Sequence, residues 1–182
     1  LAVVAPSTML QGPATLMVQL RNAQGNPIDL WTLPGGNRNI GEGMDMAACR
    51  EFVEEVLGLE GQAAVDWAQR SLAGAKQDRR WFGPFGNVGV SRHAAYVMFL
   101  SPQGVSIDNI VKAFHPNSEA SNATLVPIDL LFPNKLSVTW ANGRKMTLRD
   151  KVGYQRLQFI RTSPEAKAYA LQSDVGHSPV AN

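Results

Sequence analysis

Residues 36–59 read GNRNIGEGMDMAACREFVEEVLGL, and three glutamates, Glu51, Glu54 and Glu55, crowd one short stretch beside Arg50. On a helix, positions i, i+3 and i+4 share a face. At about 100° per residue, the three carboxylates fall within an arc of roughly 100°. Like charges so close repel, and a helix that needed only stability would disperse them. A divalent cation gives a reason to concentrate them, because hard oxygen ligands suit Mg²⁺ or Mn²⁺. The opposite side of the wheel is apolar. Ala48, Cys49, Phe52, Val53, Val56 and Leu57 cover an arc of roughly 180°, so an amphipathic helix is expected over about 45–57. The plainer alternative is a solvated acidic face, the usual meaning of a charge run. Two features weigh against it. Arg50 interrupts the acids, and the helix follows an LPGG turn at 33–36, which lets backbone approach a ligand or ion closely.

The segment resembles the signature of the Nudix hydrolases. That pattern runs from a Gly over five residues to a Glu, then over seven to Arg-Glu. An apolar residue, any residue, Glu-Glu and a short step to Gly and an apolar residue complete it. Gly36, Glu42, Arg50, Glu51, Phe52, Val53, Glu54, Glu55, Gly58 and Leu59 fill these places. One departure stands at the end. The family has one residue between Glu55 and the Gly; this chain has two, Val56 and Leu57. The extra residue is expected at the helix exit, with Gly58 as a left-handed cap, leaving the carboxylates undisturbed. The resemblance implies an α/β Nudix fold, an α/β/α sandwich with a mixed central β-sheet.

Length and composition agree with one domain over 1–170 and a loose tail over 171–182. The chain has 182 residues, 45% hydrophobic and 18% charged, as in a soluble globular protein. No apolar run is long enough to span a bilayer, and no membrane partner is expected. The start, LAVVAPSTML, lacks the basic region of a signal peptide. The single cysteine excludes internal disulfides and points to a reducing, cytoplasmic compartment; on the apolar side of the motif helix, Cys49 reads as a small core residue. A formal net charge of +2 is too small to demand a nucleic-acid partner.

Strands are expected at 14–21, 30–33 and, apolar on both faces and hence central, 93–100. Short helices are expected at 63–73 and 106–114. The run 79–90 is dense in glycine and aromatics and broken by Pro84. Residues 123–131 read as a strand passing into a helix, and 146–169 as mostly helical.

A diphosphate carries concentrated negative charge that repels a nucleophile. Metal ions neutralise it, fix its geometry and lower the pKa of bound water, while carboxylates recruit the ions and accept a proton. By resemblance, Glu51, Glu54 and Glu55 are metal ligands, one of them also able to act as base, and the Gly36 carbonyl is an additional ligand. Arg50 is expected to orient the glutamates through charge-assisted bonds rather than touch substrate. Glu42 either pairs with Arg50 or supports a metal through water. A further acid outside the motif often completes such sites in the family, and Glu119, in a polar loop before the 123–131 segment, is the candidate; the alternative is a plain loop residue.

Substrate choice lies outside the motif. Arg79 and Arg80 are candidates to reach phosphates, and Trp81 or Phe82 to stack on a base. The cheaper alternative is that the aromatics fill core or a hairpin and the arginines are solvated. The resemblance implies a Mg²⁺- or Mn²⁺-dependent pyrophosphohydrolase on a small nucleotide diphosphate, with a homodimer as a common family assembly. An RNA 5′-end pyrophosphohydrolase, or decapping enzyme, shares the chemistry but needs a basic path for the chain. A Nudix-fold sensor without turnover is the third reading, and the full set Arg50, Glu51, Glu54 and Glu55 argues against it.

Overall fold

Side chains of successive strand residues point to opposite faces, and here both faces are buried. In β1 (Ala2–Ser7), Val3 and Ala5 enter one apolar core while Ala2 and Val4 enter a second. β5 (Ala95–Phe99) divides the same way, Tyr96 and Met98 to the first core and Val97 and Phe99 to the second. A computed structural model describes residues 1–85, 94–101, 103–131, 137–139, 143 and 145–148.

The six-stranded sheet is built on β2 (Gly12–Arg21). β1 runs antiparallel to its first half, with Val4 opposite Thr15, and β3 (Pro27–Thr32) runs antiparallel to its second half, with Val18 opposite Thr32. β6 (Ala120–Pro127) pairs antiparallel with β2 from Ala14 to Leu20. Its partners overlap both other sets, so β1 and β3 must share one edge of β2 and β6 takes the other. β1 then pairs parallel with β5, and β5 antiparallel with β4 (Trp81–Phe85). One parallel pair among antiparallel ones makes the sheet mixed, as expected.

Three helices, α1 (Met44–Phe52), α2 (Gly61–Gln77) and α3 (Ile107–Lys112), feed the first core. α2 contributes Ala64, Ala68, Leu72 and Ala75, small residues at helical spacing that seat it tightly. Ser106 caps α3, its hydroxyl accepting from the Asn109 N–H. Asp108 in the first turn of α3 accepts from the Ser7 and Thr8 hydroxyls and the Thr8 N–H, tying the β1–β2 turn down. The second core is closed by Trp31, Ile128, Met146 and Leu148; Ile128 opens a 3₁₀ turn, Ile128–Leu131. Among the described residues, no helix is long and apolar enough to cross a membrane.

Some elements differ from expectation. β1 falls where no element is expected. α2 is longer than 63–73, and Phe82 and its neighbours form a strand. The helix expected over 146–169 does not start where placed: β8 (Lys145–Thr147) pairs with β7 (Ser137–Thr139), and Leu148 bridges Trp31. The cause is alternation, since Met146 and Leu148 are buried while Lys145 and Thr147 are exposed. Residues 149–182, including the tail, lie outside the described residues.

Phe52 anchors the helical layer and is 1% exposed. Phe52→Ala is expected to cost about 3–5 kcal/mol, to be read from the urea midpoint at constant m-value.

Candidate active site

α1 begins at Gly43 in extended conformation and ends by changing pitch, not by stopping. Val53–Leu57 form a π turn, and Gly58, at φ 66°, caps it in the left-handed region. A single inserted residue converts one helical turn to i→i+5 bonding. Val56 and Leu57, the two residues before Gly58, lie in this π turn together with Glu54 and Glu55. The Gly58 cap is as expected.

The turn at 33–36 holds two of the acids. The Gly35 N–H donates to Glu55 Oε2 at 2.8 Å. The Glu51 carboxylate lies so close to Gly36 that a Cβ there would overlap it. A Cβ at position 36 therefore fits only if the Glu51 carboxylate moves. Gly36→Ala is expected to displace Glu51; misplacement of a reacting group by about 1 Å can cost 10²-fold in rate. The check is kcat beside an unfolding midpoint, and the account requires the rate to fall much further than stability.

Arg50 organises the rest. Its Nε donates to Glu42 Oε1 at 2.9 Å and its Nη2 to Glu42 Oε2 at 3.1 Å, a fork closed on one carboxylate. Nη1 donates to Glu54 Oε2 at 2.5 Å, and Nη2 lies 2.9 Å from Glu51 Oε1 and 2.8 Å from the Asn37 carbonyl. The guanidinium side chain is only 7% exposed. A rigid planar fork reaches three carboxylates where a point charge would not. Glu42 is thus the Arg50 partner, one of its two expected roles, and it also accepts the Asn39 N–H, steadying the 37–42 loop.

Electrostatics separate Glu42, Glu51 and Glu55. Burial opposes ionisation of Glu42, but hydrogen bonds from Arg50 and the Asn39 N–H outweigh it and hold its carboxyl below the usual range. Burial raises Glu51 despite Arg50. Burial pushes Glu55 up to about 7, against the Gly35 N–H, with Glu119 and Glu51 adding repulsion. Burial also raises Cys49 to about 12, so the thiol is a core group.

The Glu55 shift has a definite sign. An acid whose folded pKa exceeds its unfolded value binds more protons when folded, so stability falls as pH rises between the two values. The window runs from the ordinary glutamate value of 4.5 to about 7. In metal-free protein, the thermal midpoint is expected to drop from pH 5 to pH 8, and Glu55→Gln to remove most of the drop, worth roughly 3 kcal/mol. A parallel pH dependence in both proteins would refute the assignment.

Glu51, Glu54 and Glu55 open onto a cleft of about 330 Å³, which Glu60, Asn117, Ser118 and Glu119 also line. Glu119 is thus brought to the motif carboxylates. Glu60, Asn117 and Ser118 are cleft residues that the sequence reading missed. Among the described residues, no three acidic, histidine or cysteine side chains stand arranged to hold one ion as they are. Glu51 and Glu54 face Arg50, and Glu55 faces Gly35. The donor set nevertheless fits a hard divalent cation, being all oxygen and crowded, with Glu51 and Glu55 buried.

Arg79, Arg80, Trp81 and Phe82 are not among the residues lining the cleft. Arg79 is exposed at φ 56°, just past α2. Arg80 donates to Asp78 Oδ2 at 2.8 Å and to the Phe99 carbonyl at 2.8 Å. The Trp81 ring stacks on Tyr96 at 5.1 Å, and Phe82 meets Phe99 edge-on at 5.7 Å. This is the packing of an edge strand on both cores.

A mixed sheet, a glycine turn, an amphipathic helix and an Arg-ordered glutamate cluster meet at this cleft. The NUDIX domain family model matches residues 2–148. The chain belongs to the Nudix family, a pyrophosphohydrolase-type enzyme family whose members generally use divalent metal ions and nucleotide-linked substrates. No curated protein and no solved structure matched it.

Proposed function

We propose that the chain is a Mg²⁺- or Mn²⁺-dependent pyrophosphohydrolase that cleaves a nucleoside diphosphate linked to another moiety. The substrate is a small nucleotide: a nucleoside triphosphate, ADP-ribose, a nucleotide sugar or a dinucleoside polyphosphate. The observation that carries this reading is the cleft lining: among the described residues, five of the seven that line it are glutamates and none is basic. Such a lining repels a bare diphosphate and suits one that arrives with cations. When bound, the ion neutralises the diphosphate and lowers the pKa of the attacking water.

Glu51, Glu54 and Glu55, with the Gly36 carbonyl, would hold the ion. Arg50 spaces these carboxylates and keeps Glu51 and Glu54 from rotating away. Glu119 supplies an acid from the facing loop, within reach to accept a proton or ligate. Burial pushes the Glu55 carboxyl up to about 7, so to hold an ion at neutral pH it would have to give up its proton.

A hydrolysis panel with Mg²⁺ tests the reading, including small nucleotides, 5′-triphosphate RNA and capped RNA, each with wild type and Glu54→Gln. Turnover of one or more small nucleotides, lost in the variant, is expected. Cleavage of RNA ends alone would replace the small-nucleotide reading, and tight binding without turnover under any metal would replace catalysis with sensing.

A further inference from the structure

Every polar group of Asn117 is engaged, and they point two ways. Its Nδ2 donates to the Glu55 carbonyl at 2.9 Å. Its Oδ1 accepts from the Glu119 N–H at 3.0 Å and the Ala120 N–H at 2.8 Å. Its backbone N–H donates to the Ala120 carbonyl at 2.9 Å, and its carbonyl accepts from Arg21 Nε at 2.8 Å. The last carbonyls of a helix lack intrahelical partners, and Asn117 serves the one belonging to Glu55. That carbonyl lies within the π turn, Val53–Leu57, which holds the two residues between Glu55 and Gly58. One amide side chain therefore bridges the altered turn of the motif helix and the backbone of Glu119, across the end of the cleft they share.

We propose that Asn117 is a positioning residue that sets Glu119 against Glu55, so that the π turn and the Glu119 loop form one unit. The assignment rests on reading the cleft as a metal–diphosphate site. Asn117 touches neither ion nor substrate in this scheme and acts through Glu119. Removing it lets the loop carrying Glu119 drift from the helix, while the Arg50 network is untouched.

The test is a double-mutant cycle between Asn117→Ala and Glu119→Gln. Two readouts are taken: Mn²⁺ affinity by calorimetry without substrate, and kcat and KM with Mg²⁺. With Glu119 present, Asn117→Ala is expected to weaken Mn²⁺ about 10-fold, the range seen when groups orienting metal ligands are lost, and to lower kcat more than KM changes. In the Glu119→Gln background, the same substitution should change Mn²⁺ affinity by less than about twofold, because the residue it positions is already gone. Asn117→Ser keeps an acceptor for the Glu119 N–H but is too short to reach the Glu55 carbonyl, and should weaken Mn²⁺ in the same direction if the alanine variant folds poorly. Losses that multiply across the two sites, or variants of Asn117 that match wild type, overturn the inference. Failure of the parent reading looks different: Glu54→Gln would then bind Mn²⁺ and hydrolyse substrate as wild type does.

Discussion

Glu54→Gln is expected to lower kcat/KM by about 10³-fold, roughly 4 kcal/mol of transition-state stabilisation. The substitution keeps shape and leaves Arg50 its bonds to Glu42, Glu51 and the Asn37 carbonyl. Glu54 is also the most exposed of the Arg50 partners, its side chain at 31%. The amide oxygen of a glutamine can still accept from Arg50, so stability is expected to change by about 1 kcal/mol or less, the scale of one hydrogen bond weakened rather than lost. The large rate loss beside a small stability change is the diagnostic pattern, read from steady-state kinetics and a denaturant titration on one preparation. Equal losses in both would mean that Glu54 serves the fold.

Arg50→Met should do the reverse and damage both. It leaves Glu42 and Glu51, each with a side chain only 11% exposed, without their cation. Breaking a buried pair by removing one partner costs about 3–5 kcal/mol, because the remaining charge stays buried. The cost is expected at pH 8 and should shrink toward pH 5, where the stranded carboxylates can take up protons. Arg50→Lys should recover only part of it, since an ammonium cannot close the fork on Glu42 while reaching Glu54. Urea unfolding of the three proteins at the two pH values checks this. A methionine variant as stable as wild type at pH 8 would show that Arg50 does not hold the cluster.

Much of the site is legible in the sequence because its geometry is local. Arg50, Glu51, Glu54 and Glu55 lie within two helical turns, so their proximity follows from spacing. Glu119 was reachable only by resemblance, since the chain that folds it back is the β6 pairing with β2. Three features were not legible. β1 is buried on both faces, so it shows no alternation of polar and apolar residues. The extra residue before Gly58 is visible, but the choice between an α exit and a π turn is made by tertiary contact. Asn117 takes the Glu55 carbonyl and Gly35 takes the Glu55 carboxylate. Lastly, a pair of arginines before two aromatics reads equally as a ligand loop or an edge strand. The structure packs Arg80, Trp81 and Phe82 onto Phe99 and Tyr96, contacts no local pattern announces.

The central claim is that these glutamates form a divalent-cation site. It is tested most directly by titrating Mn²⁺ into metal-free protein at pH 8 and following free Mn²⁺ by electron paramagnetic resonance. Wild type should remove Mn²⁺ from solution at stoichiometric ratio, Mg²⁺ should compete it off, and Glu51→Gln should weaken uptake by about 10-fold or more. Uptake that is unchanged in Glu51→Gln, or no uptake by folded wild type, would contradict the account.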